Sequence, residues 1–124
     1  MKKSSGIPEE IMKDPEMKRR YFEKKLAAYM GFAAKARKLA AGTNTCISFM
    51  EKGKALLLIV ASDIGENTME KVMRAAERNG VEYRVFGRAE DLGHYTGEYG
   101  AGVFCVTDEN FRNVIAEAID NTSK

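Results

Sequence analysis

The stretch Leu39–Asp63, LAAGTNTCISFMEKGKALLLIVASD, holds the residues whose types and spacing best suit a chemical task. Gly42-Thr43-Asn44-Thr45 has the composition of a helix start. A helix N-terminus carries unpaired backbone N–H groups and partial positive charge, so it can receive a phosphate or the edge of a base. Asn44 adds a side-chain amide with both a donor and an acceptor. The apolar run Ala55–Ala61 that follows is a strand suited to burial on both faces, which would fix that helix start against a rigid sheet. This pattern points to a nucleic-acid site rather than an active site. A plainer reading also stands: Gly42-Thr43 ends one helix and caps the next.

The remaining reactive side chains make poor catalytic sets. His94 is the single histidine, and it lies in a Gly-flanked polar stretch without an acid–serine or acid–cysteine constellation. It reads as a surface loop residue, because a catalytic base needs a positioned partner. One histidine with Cys46 and Cys105 does not supply the roughly four ligands of a zinc site. The two cysteines show no C-x-x-C spacing and read as reduced core residues of a cytosolic protein. Gly97, Gly100 and Gly102 superficially resemble a phosphate loop, but they follow a helix and precede a strand, and no Lys-Ser or Lys-Thr comes after. They read as a flexible connector. Asp63 and Glu66 could pair as carboxylates, yet acids after a strand more often cap the next helix. Tyr95 and Tyr99 suit either stacking on unpaired bases or packing. Neither an enzyme nor a cofactor is expected.

Composition agrees with a binding role. The 124 residues are 44% apolar and 31% charged, ordinary for one globular domain. No apolar run approaches the roughly 18 residues that span a bilayer. The opening MKKSSGIPEE is basic without an apolar core, so no signal peptide is expected and the cytoplasm is the expected location. The net charge of +2 hides an asymmetry: residues 1–42 hold 11 Lys/Arg against 5 Asp/Glu, and residues 43–124 hold 9 against 13. A basic arm on a mildly acidic body is either an electrostatic footprint for nucleic acid or a solvated helix face.

These groups must be positioned by the elements around them. Residues 1–13 read as loosely ordered. Asp14-Pro15-Glu16 opens a helix whose apolar positions are Phe22, Leu26, Tyr29, Met30 and Ala33, running to about Leu39 and ending by Gly42. A second helix covers Thr43–Lys52, with Cys46, Ile47 and Met50 inward and Gly53 as its stop. Strands are expected at Ala55–Ala61, Glu82–Phe86 and Gly102–Val106. Helices are expected at Glu66–Asn79, Arg88–Tyr95 and Asp108–Asp120. The order predicts an α/β fold, a three-layer α/β/α sandwich on a small, mostly parallel or mixed sheet. A ligand would sit beyond the carboxyl ends of the strands, at Ser62–Asn67, Gly87-Arg88 and Thr107-Asp108.

Several of these segments together resemble one family. Leu39-Ala-Ala-Gly-Thr-Asn44, Glu51-Lys-Gly-Lys-Ala55 and Leu57-Leu-Ile-Val-Ala61-Ser-Asp63 closely resemble the ribosomal L-seven-Ae family of kink-turn RNA binders. Leu92-Gly93 followed by Gly97 resembles its Leu-Gly-x-x-x-Gly loop. Asp63-x-x-Glu66-Asn67-Thr68 and Val106-Thr107-Asp108 look like its branch of small bacterial homologues. The resemblance covers about residues 24–120. It leaves residues 1–23 as a partly helical N-terminal extension and 121–124 as a tail.

The resemblance implies an α/β/α sandwich that seats the helix beginning at Gly42-Thr43-Asn44 in the major groove of a kink-turn, while the loop around Leu92–Gly97 covers a flipped-out base. Gly42 and Asn44 match the family pattern, and Lys38 sits where a basic residue is common. Thr45 stands in place of a typical Glu, Ser48 in place of a typical Lys that contacts guanine, and His94-Tyr95-Thr96 is more polar than the usual loop. A lysine–guanine contact is worth about 1–3 kcal/mol. Its loss weakens binding roughly tenfold to a hundredfold unless Lys35, Arg37 and Lys38 compensate through phosphate contacts. The expected partner is structured RNA, with ribosomal RNA among the candidates, and neither DNA nor a membrane. The expected RNA-facing set is Lys35, Arg37, Lys38, Gly42, Thr43, Asn44, Thr45, Ser48, Asp63, Glu66, His94, Tyr95, Thr96 and Gly97. The alternative is a protein–protein adaptor on the same fold; the sequence leaves the oligomeric state open.

Overall fold

The computed structural model describes residues 7–123, so the reading of residues 1–6 as loose chain lies outside it. Among the described residues the order is α1 (Glu9–Lys13), α2 (Pro15–Lys35), β1 (Leu39–Ala41), α3 (Thr43–Glu51), β2 (Leu57–Val60), α4 (Glu66–Asn79), β3 (Glu82–Val85), α5 (Ala89–Thr96), β4 (Val103–Val106) and α6 (Glu109–Ser123). The strands lie in the order β1-β4-β2-β3. β4 is antiparallel to both β1 and β2, and β2 is parallel to β3, which makes the sheet mixed.

Two hydrophobic clusters fill the two faces, giving three layers. Leu57, Ile59, Phe104 and Val106 face α2, α5 and α6, while Leu58, Val60, Val103 and Cys105 face α3 and α4. Every residue of β2 and β4 is buried, as strands covered on both sides require. Cys46 and Cys105 meet in the second cluster as free, buried thiols. Hydrogen bonding to Cys105 and burial push the Cys46 thiol up.

The first half of the chain departs from the sequence-based expectation. Asp14 caps α2 as expected, its carboxylate accepting from the Glu16 and Met17 N–H groups at 3.0 and 3.3 Å. The helix stops at Lys35, however, and Leu39–Ala41 is a fourth strand. Leu39, Ala40 and Ala41 pair with Val106, Cys105 and Phe104. Helix-friendly residues are overruled because β4 would otherwise leave buried backbone groups unpaired along one edge.

The outer parts of the described chain are also packed more firmly than expected. Glu9–Lys13 is helical, and buried Ile7 and Phe22 join the core. α2 runs unbroken across residue 23. α6 continues past Asp120 to Ser123, with buried Thr122 donating to the Ala118 carbonyl at 2.8 Å.

Candidate nucleic-acid interface

The topology gathers three helix starts at one end of the sheet. β1, β2 and β3 point the same way, and α3, α4 and α5 follow their carboxyl ends. Thr107-Asp108 follows β4, which runs the other way. That corrects the expected strand-end cluster: Thr107-Asp108 lies at the opposite end, and the Gly97–Gly102 segment entering β4 takes its place.

Hydrogen bonds lock this helix-start end together. The Gly42 N–H donates to the Val103 carbonyl at 2.9 Å, which ties the α3 start to β4. Ser62 donates to the Gly87 carbonyl through both its backbone N–H and its hydroxyl, each at 2.7 Å. The Asp63 carboxylate accepts from the Ala89 N–H at 2.9 Å, so Asp63 caps α5 rather than the helix that follows it in sequence. Gly102 is a point of close approach. A Cβ there would fall 2.5 Å from Cγ2 of Ile64, so the segment read as a flexible connector is tightly seated on the β2–α4 loop.

The three helix starts differ in what they offer. α4 carries Glu66 in its first turn, and α5 carries Glu90 and Asp91. α3 has no acidic residue there and no side-chain cap. Gly42, at φ +114°, turns the chain so that the N–H groups of Thr43, Asn44 and Thr45 open the helix. Exposed Asn44 accepts a hydrogen bond from the Lys71 ammonium of α4 at 3.4 Å. Its amide NH2 group stays available as a donor. Thr45 lies beside Gly42, and half-buried Ser48 sits one turn further along the Asn44 face.

The second wall is α5 and the segment after it. The expected loop Leu92–Gly97 is largely helix: Leu92 and Gly93 are buried, Thr96 donates to the Leu92 carbonyl at 2.9 Å, and Gly97 ends the helix. His94 is exposed and meets Tyr99 edge-on, with ring centroids 5.6 Å apart. These rings border a cleft of about 460 Å³ that Ala89, Glu90, Gly93 and Gly100 complete. Tyr99 is 71% exposed. Tyr95 instead lies against Arg20, Glu23, Lys24 and Ala27 of α2, where burial pushes its phenol up, followed by the charges of Asp91 and Glu23.

The structure therefore brings together Gly42, Thr43, Asn44, Thr45, Ser48, Asp63, Glu66, His94 and Gly97 at one end. It turns Tyr95 toward α2 and folds the Thr96 hydroxyl back onto α5. Lys35, Arg37 and Lys38 are placed elsewhere: they lie before β1, and even Lys38 is four residues of extended chain, about 13 Å, from Gly42. Lys71 escaped the sequence reading. Its signal was the polar row Asn67, Lys71, Arg74 and Arg78 at helical spacing on α4.

The fold and the end of the sheet together define an α/β/α sandwich with an uncapped helix start beside a glycine-rich return. The chain belongs to the Ribosomal protein L7Ae/L30e/S12e/Gadd45 family, whose model matches residues 24–116. It is 29% identical over 91 residues to the RNA-binding protein YlxQ of Bacillus subtilis, covering 73% of this chain and 91% of that one. A solved structure of a protein of unknown function from Bacillus halodurans superposes with a TM-score of 0.74 at 29% identity, over 77% of this chain and 97% of the other. The Giardia lamblia 15.5kD RNA binding protein shares the fold, with a TM-score of 0.65 at 23% identity over 83% of this chain and 88% of that one.

Proposed function

We propose that the protein binds bent, structured RNA of the kink-turn kind, ribosomal RNA included, and performs no catalysis. The observation that carries this reading is the start of α3, which has neither a side-chain cap nor a carboxylate in its first turn and carries an exposed Asn44. Membership of the family and the RNA-binding relative YlxQ support it. Asn44 reads base edges, and Lys71 brings to the same spot the cation that Ser48 does not supply. The Tyr99–His94 pair offers ring faces to an unstacked base. Asp63 positions α5 rather than touching RNA.

A gel shift against a kink-turn RNA and a matched plain duplex tests this, with Asn44→Ala alongside. Preference for the kink-turn that falls in Asn44→Ala is the expected result. Equal binding of both RNAs, unchanged by Asn44→Ala, would sink the site assignment. Absence of binding at low salt would sink RNA recognition itself and leave a protein partner as the better reading.

A further inference from the structure

The opposite end of the sheet gathers five exposed cations without an ion pair among the described residues. Lys35, Arg37 and Lys38 leave α2 there, and Lys52 and Lys54 leave α3. The two turns flank the end of β4. The Lys38 carbonyl accepts from Thr107 N–H at 2.9 Å, and Leu56 N–H donates to the Val106 carbonyl at 2.8 Å. That places them two strand spacings apart, about 10 Å. Of the nearby acids, Asp108 is engaged in capping α6 through the Phe111 N–H at 3.0 Å, Glu51 pairs with Arg78 at 3.6 Å, and Glu109 is exposed.

The backbone at these turns adds an independent observation. Both helices end in the same motif. Arg37 and Lys38 N–H groups return to the Ala34 and Ala33 carbonyls at 3.1 and 2.8 Å, and those of Gly53 and Lys54 return to Met50 and Phe49 at 3.1 and 2.9 Å. The central residue must be left-handed, which favours glycine. α3 meets the requirement with Gly53 at φ +73°, whereas α2 places Arg37 there at φ +62°, the one non-glycine residue with positive φ among those described. Glycine would fit this left-handed position with less strain than arginine, and strain of this kind collects where function requires the side chain.

We propose that this end is a second RNA contact, which holds the phosphate backbone of a duplex segment separate from the one read at the α3 start. The proposal rests on the RNA-binding reading above. Arg37 supplies a forked guanidinium matched to phosphate oxygens, and the four lysines supply point charges around it. The contact carries no sequence information; it sets orientation and adds affinity. Neutralising about four phosphates makes this end responsible for a roughly hundredfold fall in affinity between 50 and 200 mM salt.

Two variants of the full chain test it by titration of a plain RNA duplex and a kink-turn RNA across salt concentrations. Arg37→Gly should raise the Tm by a few degrees, roughly 2–4 °C, while weakening duplex binding. Arg37→Gly combined with Lys38→Ala, Lys52→Ala and Lys54→Ala should lower the salt slope by about three. It should keep the ratio of kink-turn to duplex affinity. Unchanged duplex affinity and slope in the combined variant would overturn the second contact, while the effect of Asn44→Ala would still report separately on the first. Binding of polyglutamate as tight as that of duplex RNA would overturn the assignment to RNA.

Discussion

The two ends of the sheet solve opposite problems with the same kind of element. At one end α3, α4 and α5 begin, and the α3 start leaves backbone donors open beside the uncharged amide of Asn44. The side-chain charge around it is mixed: Lys71 and Arg88 stand against Glu66, Glu90, Asp91 and Glu98. At the other end α2 and α3 finish with their terminal backbone groups satisfied, and exposed cations project around closed turns. Directional donors and acceptors suit reading a base edge. Long flexible cations suit holding a phosphate chain. On the proposed reading, the division separates recognition from grip within a single small domain.

The comparison can be broken most forcefully from the strand both ends share. Phe104 is fully buried in β4, paired with Ile59 and Ala41, so Phe104→Ala should cost about 3–5 kcal/mol and weaken binding at both ends together. Denaturant unfolding measures it, and a loss confined to one end would show that the sheet does not couple them. Asn44→Ala should next reduce kink-turn preference by about 1–3 kcal/mol while leaving duplex binding and its salt slope intact. Lys71→Ala should move in the same direction by a smaller factor, read in the same gel shift.

Smaller still is the cap. Asp63→Ala should cost about 1 kcal/mol by freeing the α5 start, with faster amide exchange along Ala89–Leu92 and little change at the Arg37 turn. The smallest effect has the opposite sign. Arg37→Gly should stabilise the fold by less than about 1 kcal/mol, since glycine tolerates the left-handed turn. A destabilised Arg37→Gly would show that Arg37 packs the turn rather than serving a ligand.

Much of this arrangement was legible in the chain. Asp14-Pro15 announced the α2 start, and Glu66–Asn79 matched α4 at both ends because an apolar stripe ran up to Asn79-Gly80. The open α3 start was readable from Gly42-Thr43-Asn44 alone. β1 was not, since Leu39-Ala40-Ala41 continues a helical stripe and only the edge of β4 makes those residues a strand. Lys71 was missed as a candidate, and Tyr99 was left between stacking and packing, for a related reason. Lys71 belongs to another helix, and Tyr99 joins the site only through the return of its loop.

Local chemistry in the sequence determined the α/β/α sandwich, most of its helices and strands, and the helix starts. Those features depend on periodicity, caps and turn residues within a few positions of one another. Tertiary structure alone decided which of them share an end. The direction of β4 placed Thr107-Asp108 away from the other strand ends, and the pairing of β1 carried Lys35, Arg37 and Lys38 away from Asn44. Strand direction and edge pairing are set by backbone hydrogen bonds between residues more than 40 positions apart, which no local pattern records.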